Sequence, residues 1–514
     1  MPFAKTGVLS IWLRTWAMPL GTTVAALMLY LRSAAPGITW AHQGADGAEL
    51  LAAAITNGVP HPPGYPLYIP LLQIWLAITA PLLTGADLAW RGTLLSALLA
   101  AGSVGVTVVT ARHLVRSWPF GWLWSALAGL AWAISPLLWM QAIITEVYAL
   151  HALLLALLGW AVLVHPRRLW YVVLLTALGV AHHLTFILLL PAAYYALWAQ
   201  ATDRRRLWPK LAGVFVLGSG LGALFYLRIP LVAGNGPPPI NWGYADNWAG
   251  FWWLVSGAAY RGYLFASPAE TIFSRVAAWA YTVTMQYSPV GLAVGLVGLA
   301  DWDRQAPHLR NFSLLWVVPV SVYALVYYTR DSDIYLLAVA WIMALWLAVG
   351  LAVTVAWLSR QRVRRPRWVT VTCGGIVAIG LVVLAAWRWP AVALSGDSAA
   401  RAFVAQAGAV LEPGSIVVTL NDRETFALWY GVWGSGELAA RVPGIIAVND
   451  SLYQFDWYRR LQGDLYPGIA GIDQSVDALI AANQGVRPIY FAQLPAAVPP
   501  EMLEPVGPLW RLKE

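Results

Sequence analysis

Two carboxylates and a rigid turn stand close together near the start of the chain. Asp46 and Glu49 lie three residues apart in DGAEL, so a helix there would place both on one face. A carboxylate at a half-dry membrane surface could act as a general base that takes a proton from a hydroxyl group. A solvated loop turn would explain the same pair without chemistry. The prolines and glycine of HPPGYP at residues 61–66 favour chemistry, because they fix the backbone and would hold the preceding loop in place.

Further ionisable side chains stand where apolar runs begin or break. Glu146, in QAIITEVYALH, could share a metal with the first pair or position an acceptor, or it could simply be a favourable charge at a helix N-terminus. His182 and His183 are adjacent, so in a helix they face different directions and make poor joint metal ligands. They could be interfacial polar residues or could bind a lipid phosphate.

Two later segments combine aromatic residues with arginine. The segment 240–265 contains Arg261, whose planar guanidinium suits a phosphate, although the segment could equally lie on the membrane surface as an anchor. The sequence RDSDIYLL places Arg330, Asp331 and Asp333 at a helix start, where capping is the plain alternative.

The composition places these residues in or beside a membrane. The 514 residues are 60% hydrophobic and 11% charged, with a mean hydropathy of +0.63, whereas a soluble domain carries about 25% charged residues. The sequence therefore predicts a polytopic α-helical membrane protein. The net charge of +8 comes from short basic clusters between apolar runs, which is typical of cytoplasmic loops and not of a nucleic-acid-binding surface. Cys373 is the only cysteine, so one chain can form neither a disulfide nor a thiolate metal site.

Apolar runs of suitable length predict the spans, since about 20 residues cross a bilayer. The N-terminus lacks a small-residue cleavage site, so we expect the first run to be retained. The stretch 169–200 is interrupted by AHHL, which predicts two short helices. The other runs lie near residues 15–31, 66–83, 92–111, 119–139, 146–164, 208–227, 276–300, 311–329, 334–356 and 368–387.

Basic clusters assign the two sides of the membrane. If all of them are cytoplasmic, the loops at 32–91, 140–146, 182–183, 228–275 and 330–333 face outward, and every candidate residue above lies outside. Because the first outer loop, 32–91, begins and ends outside, its apolar segment 66–83 cannot cross once, so we predict a juxtamembrane or re-entrant helix and about 11 spans. The clusters are Lys5/Arg14, Arg112/Arg116, Arg167/Arg168, Arg204–Arg206/Lys210, Arg304/Arg310 and Arg360/Arg362/Arg364/Arg365/Arg367.

The composition changes near residue 388. The last part of the chain holds 13 of the 24 acidic residues and no apolar run of spanning length. Short β-rich segments in GSIVVTL, GIIAVND and RPIYFAQ predict buried strands, and RETFALWYG and FDWYRRLQG predict helices between them. We therefore expect a transmembrane domain at 1–387 and an extracytoplasmic α/β domain at 388–514.

Five ordered motifs resemble a family of GT-C glycosyltransferases, long described as a domain of unknown function and related to the protein O-mannosyltransferases. The motifs are DGAELLAAAITNGVPHPPGYPLYIPL, QAIITEVYALHALL, GVAHHLTFILLLP, INWG followed by YRG, and RDSDIYLL. The resemblance covers nearly the whole chain. It implies an enzyme that takes a sugar from a polyprenyl-phosphate donor in the lipid and transfers it with inversion on the non-cytoplasmic side.

The resemblance also implies roles for residues. Asp46 matches the catalytic carboxylate of the first outer loop, with Glu49 as its partner and Glu146 as the acidic residue of the second outer loop. Arg91, Arg261 or Arg330 would hold the leaving phosphate, and the sequence does not choose among them. The substrate-binding candidates are His61, Pro62, Tyr65, Arg91, His182, His183, Trp242, Arg261, Arg330 and Asp331.

The expected partners are a polyprenyl-phosphate sugar, preferably a mannose-like hexose, the lipid bilayer, and a protein Ser/Thr, lipid or glycan acceptor, with no nucleic acid. No cofactor is required, because no P-loop or dinucleotide fingerprint is visible; carboxylate oxygens could bind Mg²⁺ or Mn²⁺. We expect an integral plasma-membrane protein whose C-terminal domain helps to select the acceptor. The alternatives are a transporter or flippase of lipid-linked substrates and a non-catalytic scaffold with an outer binding domain.

Overall fold

The computed structural model describes residues 6–361, 366–495 and 498–513. Lys5, Arg362, Arg364 and Arg365 of the predicted basic clusters lie outside the described residues. The described α-helices are α1 (Thr6–Ser33), α2 (Asp46–Ile55), α3 (Tyr68–Leu82), α4 (Leu88–Leu114), α5 (Gly121–Ala133), α6 (Pro136–Ala142), α7 (Tyr148–Val164), α8 (Leu169–His182), α9 (Leu190–Ala199), α10 (Arg204–Phe225), α11 (Arg228–Ala233), α12 (Trp248–Val255), α13 (Ile272–Met285), α14 (Ser288–Gln305), α15 (Pro307–Val326), α16 (Leu337–Gln361), α17 (Pro366–Val392), α18 (Ala399–Val410), α19 (Asp422–Trp429), α20 (Glu437–Arg441), α21 (Asp456–Leu465) and α22 (Val476–Asn483).

The helical part is that of an integral membrane protein. By length and composition alone, five of the helices in the described residues are able to cross a bilayer, and up to seven if each bent pair counts as one span. The unbroken ones cover Leu88–Leu114, Arg204–Ala233, Pro307–Val326, Ser332–Arg360 and Trp368–Val392. Shorter apolar helices, including α3, α7 and α8, stand beside them. The total of about 11 spans stays a prediction.

Two runs predicted as single spans are broken helices. The run at 119–139 bends by 63° between α5 and α6, and the run at 276–300 bends by 84° between α13 and α14. Each break falls at a residue that precedes a proline, Ser135 in the first and Ser288 in the second, and such a residue is disfavoured in the helical conformation. The periodicity of apolar residues continues through both breaks, so it did not reveal them.

Arg388 of α17 joins the two breaks. Its guanidinium donates to the carbonyl oxygen of Ile134 at 2.6 Å and to the carbonyl oxygens of Met285 and Gln286. The last carbonyl groups of a helix lack partners within the helix. A single buried arginine therefore satisfies the ends of α5 and α13 and fixes both bends beside α17.

The first outer loop has the predicted helices. Asp46 begins α2, as the helical interpretation of DGAEL requires, and the apolar segment 66–83 forms α3, whose 15 residues reach about 22 Å, less than the hydrocarbon thickness of about 30 Å. Its juxtamembrane placement stays a prediction. The two short helices expected at 169–200 are confirmed as α8 and α9, with a 3₁₀ segment at Leu184–Leu189 between them.

The C-terminal part contains a five-stranded mixed sheet. Its order is β2-β1-β3-β5-β4, with β1 parallel to both β2 and β3 and the remaining pairs antiparallel. The three predicted strands are confirmed as β1, β2 and β3, and the two predicted helices as α19 and α21. The boundary at residue 388 stays a prediction. The strands are β1 (Ile416–Thr419), β2 (Ile446–Asn449), β3 (Ile489–Phe491), β4 (Leu503–Val506) and β5 (Leu509–Leu512).

The C-terminal part packs on the first outer loop. The His42 ring nitrogen Nε2 donates to the Val392 carbonyl oxygen at 2.8 Å, and the Trp40 indole N–H donates to the Arg423 carbonyl oxygen at 2.9 Å. The hydroxyl of Thr39 donates to the carboxylate of Asp397. These contacts bring α19 over α2, so that residues more than 370 positions apart face the same space.

Candidate active site

A cavity of about 1210 Å³ lies where several loops of the helical part meet the C-terminal part. Acidic, basic and aromatic side chains line it together. The ionisable lining residues are His42, Asp46, His61, Glu146, His183, Arg261, Arg275, Arg330, Asp331, Asp333, Asp422 and Arg423, and the tyrosines are Tyr65, Tyr148, Tyr260, Tyr263, Tyr323, Tyr327, Tyr328 and Tyr335. Several ionisable candidates from the sequence thus line one cavity, and their roles stay predictions; they are Asp46, His61, Glu146, His183, Arg261, Arg330, Asp331 and Asp333.

Helix α2 brings Asp46 to the cavity and buries its apolar side. Residues Gly47 to Ala54 are buried, while the Asp46 side chain is 39% exposed toward the cavity. A Cβ atom added at Gly47 would stand 2.5 Å from the Thr145 carbonyl oxygen. Glycine at position 47 therefore permits the close approach between α2 and the segment that carries Glu146.

Asp46 and Glu49 both face His61. The His61 ring donates from Nδ1 to Glu49 Oε2 at 2.5 Å, and its Nε2 lies 3.6 Å from Asp46 Oδ2. The main-chain N–H of His61 donates to the second oxygen of Glu49 at 3.2 Å, and Nε2 is 3.1 Å from the Tyr65 hydroxyl. The Glu49 side chain is fully buried. The three-residue spacing thus produces one shared partner, with Glu49 behind His61 and Asp46 in front of it.

This arrangement shifts the pKa values of Asp46 and His61. Enclosure by the cavity walls raises the pKa of Asp46 to about 6, although the positive charge of His61 opposes the rise. Burial lowers the pKa of His61, but the adjacent Glu49 and Asp46 carboxylates outweigh it and raise that pKa to about 10. At neutral pH the pair is therefore an ionised Asp46 beside a protonated His61. A carboxylate with a pKa near 6 suits a general base close to neutral pH.

Glu146 has a different state. Burial and then the negative charge of Asp46 raise the pKa of Glu146 to about 8, so this carboxyl group carries its proton at neutral pH. Its Oε2 accepts the main-chain N–H of Val147 at 2.5 Å. A protonated carboxyl group at the cavity wall can donate a hydrogen bond to a substrate oxygen.

Among the three predicted phosphate ligands, the structure separates Arg91 from the other two. Arg261 and Arg330 line the cavity with exposed side chains and have no hydrogen-bonding or ionic partner for the guanidinium among the described residues. Arg91 does not line the cavity. It donates to the Leu76 carbonyl oxygen at 3.2 Å and joins α4 to α3, and a substrate role for Arg91 stays a prediction.

Two further predicted substrate residues also lie behind the wall. Trp242 is buried against the rings of His61 and Trp457, at centroid distances of 6.2 and 5.6 Å. His182 is fully buried beside Tyr68 and His151, and only its neighbour His183 faces the cavity. Adjacent residues at a helix end point in different directions, so His182 faces the core of the helical part while His183 faces the cavity. Pro62, Tyr65 and Asp331 do line the cavity.

The sequence predicts that the C-terminal domain helps to select the acceptor, but it does not identify which residues of that part line the cavity. Asp422 and Arg423, at the start of α19, line the cavity, and Tyr260, Tyr327 and Tyr335 form much of its aromatic wall. RETFALWYG was identified only as a helix. Nothing in its local pattern connects it with the first outer loop, since the contact depends on the packing of the C-terminal part.

The described residues hold no preformed metal-binding cluster. Glu49 is occupied by His61, Glu146 accepts a main-chain N–H, and no group of three or more His, Cys, Asp or Glu side chains takes up a metal-binding arrangement in residues 6–361, 366–495 and 498–513. The possible Mg²⁺ or Mn²⁺ stays a prediction, and no step below passes through a metal.

Part of the sequence is similar to known proteins. Residues 46–206, beginning at Asp46, match the family model described as Protein O-mannosyl-transferase TMEM260 N-terminal domain. Protein O-mannosyl-transferase tmem260 of Dictyostelium discoideum is 23% identical over 301 residues, which cover 54% of this chain and 35% of that protein. Protein O-mannosyl-transferase TMEM260 of Mus musculus is 35% identical over 115 residues, which cover 22% of this chain and 15% of that protein. The chain thus spans about a third or less of the curated relatives it matches.

A solved structure has the same fold. ArnT from Cupriavidus metallidurans in the apo state superimposes with a TM-score of 0.51 and 14% sequence identity, over 94% of this chain and 93% of that chain. The predicted resemblance to the protein O-mannosyl-transferases is confirmed by the family model and the two relatives, and the likeness to ArnT shows a shared fold.

Proposed function

For a chain related to the protein O-mannosyl-transferases, we propose that the protein is a membrane glycosyltransferase that moves a sugar from a polyprenyl-phosphate donor to an acceptor hydroxyl. The favoured sugar is a mannose-like hexose, and the favoured side is extracytoplasmic, at the plasma membrane. One observation carries the proposal: the Asp46 carboxylate, beside protonated His61 and buried Glu49, faces a cavity large enough for a sugar phosphate and an acceptor.

The reaction is a single displacement at the anomeric carbon. Asp46 takes the proton of the acceptor hydroxyl as the acceptor oxygen forms its bond to that carbon. The bond between the anomeric carbon and the phosphate oxygen breaks on the opposite face, and the polyprenyl phosphate leaves with the electron pair. The configuration of the sugar is therefore inverted, and the proton that the acceptor loses ends on Asp46.

The groups around Asp46 prepare it for this step. Protonated His61 holds the carboxylate by charge at 3.6 Å, and buried Glu49 fixes the orientation of the ring through Nδ1 and the His61 main chain. Such support from a group that does not touch the substrate is typical of catalytic histidines. Glu146, which is protonated at neutral pH, would donate a hydrogen bond to an oxygen of the sugar or the acceptor.

Arg261 and Arg330 are the candidates to hold the phosphate. Both guanidinium groups face the cavity, and their charge would stabilise the negative charge that grows on the leaving phosphate. Large apolar side chains stand close to Arg261 in sequence and are strongly exposed, among them Trp248 at 72% and Phe265 at 75%. Such side chains favour contact with lipid, which is where a polyprenyl chain lies.

The acceptor is a hydroxyl group of a protein, a lipid or a glycan, and a protein Ser/Thr is favoured because the similar proteins are protein O-mannosyl-transferases. No nucleic-acid partner is expected.

The test is sugar transfer by the purified full chain in nanodiscs. The donors are polyprenyl-phosphate mannose and then polyprenyl-phosphate glucose, offered with Ser/Thr-rich peptides and with total membrane lipids. Asp46→Asn keeps the shape of the side chain but removes the base. Asp477→Asn is the matched control, because Asp477 also stands in the first turn of a helix but on the surface of the C-terminal part.

The expected result is product from the wild type and from Asp477→Asn, with a loss of at least about 100-fold in Asp46→Asn, as for the removal of a general base. Equal product from Asp46→Asn and the wild type would refute the role of Asp46. Movement of labelled donor across the bilayer without product would instead indicate a transporter.

A further inference from the structure

The C-terminal part contributes a carboxylate to the cavity. Asp422 and Arg423 begin α19, and both line the same space as Asp46. The position of α19 is fixed by the contacts of Trp40 and Thr39 with the C-terminal part, so Asp422 does not depend on a free loop for its place.

Asp422 differs from the other acids at this interface because its carboxylate is unpaired. Asp397 accepts from Thr39, Asp246 pairs with Arg460, and Asp464 accepts the Tyr244 hydroxyl at 2.7 Å. Those carboxylates join the two parts of the protein. The Asp422 carboxylate, by contrast, has no hydrogen bond or ion pair within the described residues, so its oxygens remain available to a ligand.

The adjacent arginine does not neutralise Asp422. The Arg423 guanidinium lies over the Trp40 ring, 4.4 Å from its centroid, and forms no ion pair in the described part of the chain. Burial and then the negative charge of Asp46 raise the pKa of Asp422 to about 6. The two carboxylates therefore share one electrostatic environment, and both are mainly ionised above neutral pH.

The direction of the reaction assigns Asp422 to the acceptor. In the proposed function the donor phosphate is held by Arg261 and Arg330, which belong to the membrane part, and inversion requires the acceptor to approach from the opposite face of the sugar. Asp422 belongs to the C-terminal part. An acceptor whose hydroxyl reaches Asp46 would therefore pass within the field of Asp422.

We propose that Asp422 determines acceptor specificity: it selects acceptors that present a hydrogen-bond donor or a positive charge beside the reacting hydroxyl, and it rejects acceptors that present a negative charge there. The inference rests on the proposed function and names the acceptor class of the same site. A negative group placed beside Asp422 would be repelled by that carboxylate, whereas a cationic or amide group there would pair with it.

The experiment uses the full chain in nanodiscs with saturating polyprenyl-phosphate mannose. Three threonine peptides differ only in the residue beside the acceptor threonine, which is Lys, Ala or Asp. The measured quantity is kcat/KM for each peptide with the wild type, Asp422→Asn, Asp422→Glu and the surface control Asp477→Asn. A merely structural defect would lower all three values together, whereas loss of a selecting charge changes their ratio.

The wild type and Asp477→Asn should prefer the Lys peptide over the Asp peptide by about tenfold, the size of one charge interaction at short range. The ratio should fall to about threefold or less in Asp422→Asn, chiefly through KM, and Asp422→Glu should keep the wild-type ratio. An unchanged ratio in Asp422→Asn would overturn the inference and leave the proposed function intact. If the wild type transfers a sugar to lipid but no mannose to any peptide, the peptide acceptor and this inference are overturned. If the wild type is inactive with every donor, the proposed function is overturned and the inference with it.

Discussion

The charge on His61 controls the proton affinity of Asp46, and replacing this histidine tests the arrangement at the centre of the site. His61→Gln removes the positive charge 3.6 Å from the Asp46 carboxylate but leaves a side chain that can accept and donate hydrogen bonds. The ionised form of Asp46 loses its closest favourable charge, and the negative charge of buried Glu49 is no longer compensated. Both changes raise the pKa of Asp46.

The separation sets the size of the effect. Two unit charges 3.6 Å apart interact by about 1.2 kcal/mol at the dielectric constant of water and about 4.6 kcal/mol at an effective value of 20. Because the Asp46 side chain is 39% exposed to the cavity, solvent screens the pair and the lower part of this range applies, about 1.5 kcal/mol. That energy corresponds to about one pH unit.

The assay is the pH dependence of kcat/KM for sugar transfer. In the wild type the rate should rise with pH through about 6, because Asp46 must lose its proton before it can accept one. In His61→Gln the same rise should occur about one pH unit higher. Asp477→Asn is the control, since it removes a carboxylate on the surface of the C-terminal part and should leave the rise at the wild-type pH.

Identical acid limbs in the wild type and His61→Gln would refute the electrostatic argument, even if the variant had a lower maximal rate. A limb displaced to lower pH would refute it as well, because it would mean that the charge on His61 opposes the ionisation of Asp46. Displacement of the limb in Asp477→Asn as well would show that a general change of structure, and not the charge on His61, moves the titration.

Three further outcomes follow from the geometry. His61→Ala should destabilise the protein by about 3–5 kcal/mol, because the fully buried Glu49 carboxylate loses its charge partner. Thermal unfolding in detergent measures this loss. The stabilisation by wild-type His61 should be complete below about pH 6.5 and disappear as the pH rises through about 10. Gly47→Ala should cost about 1–3 kcal/mol and lower activity, since its Cβ would stand 2.5 Å from a carbonyl oxygen of the facing segment, whereas Gly213→Ala, with open space around it, should be neutral or stabilising in the same unfolding assay. Arg261→Gln should raise the donor KM by about tenfold or more without lowering the melting temperature, and an unchanged donor KM would remove Arg261 from the phosphate site.

The spacing of residues along the chain was sufficient wherever the relevant contact is local. Asp46 and Glu49 share a helix face because a separation of three residues requires it, and the same spacing brought both of them to His61. The break at AHHL and the strands of the C-terminal part were likewise predictable, because turn residues and short β-rich runs act on their immediate neighbours.

Side-chain direction was not predictable at the ends of apolar helices. Arg91 and Arg261 were equal candidates in the sequence. In the structure the Arg91 guanidinium donates to a carbonyl oxygen of α3, whereas Arg261 faces the cavity. His182 and His183 differ in the same way. A rotation of one residue on a helix turns a side chain by about 100°, and only the packing of the neighbouring helices decides which direction is inward.

The sequence by itself determined that this is a membrane protein and that Asp46 and Glu49 share one helix face, because composition and short spacing are local properties of the chain. The tertiary structure alone decided that Arg388 fixes two broken helices and that Asp422 joins Asp46 at one cavity. Those contacts join residues separated by more than 100 positions, and no periodicity extends over such a distance. They exist because packing of the helices and of the C-terminal part buries apolar surface, and the polar groups that the packing brings together then determine the chemistry of the site.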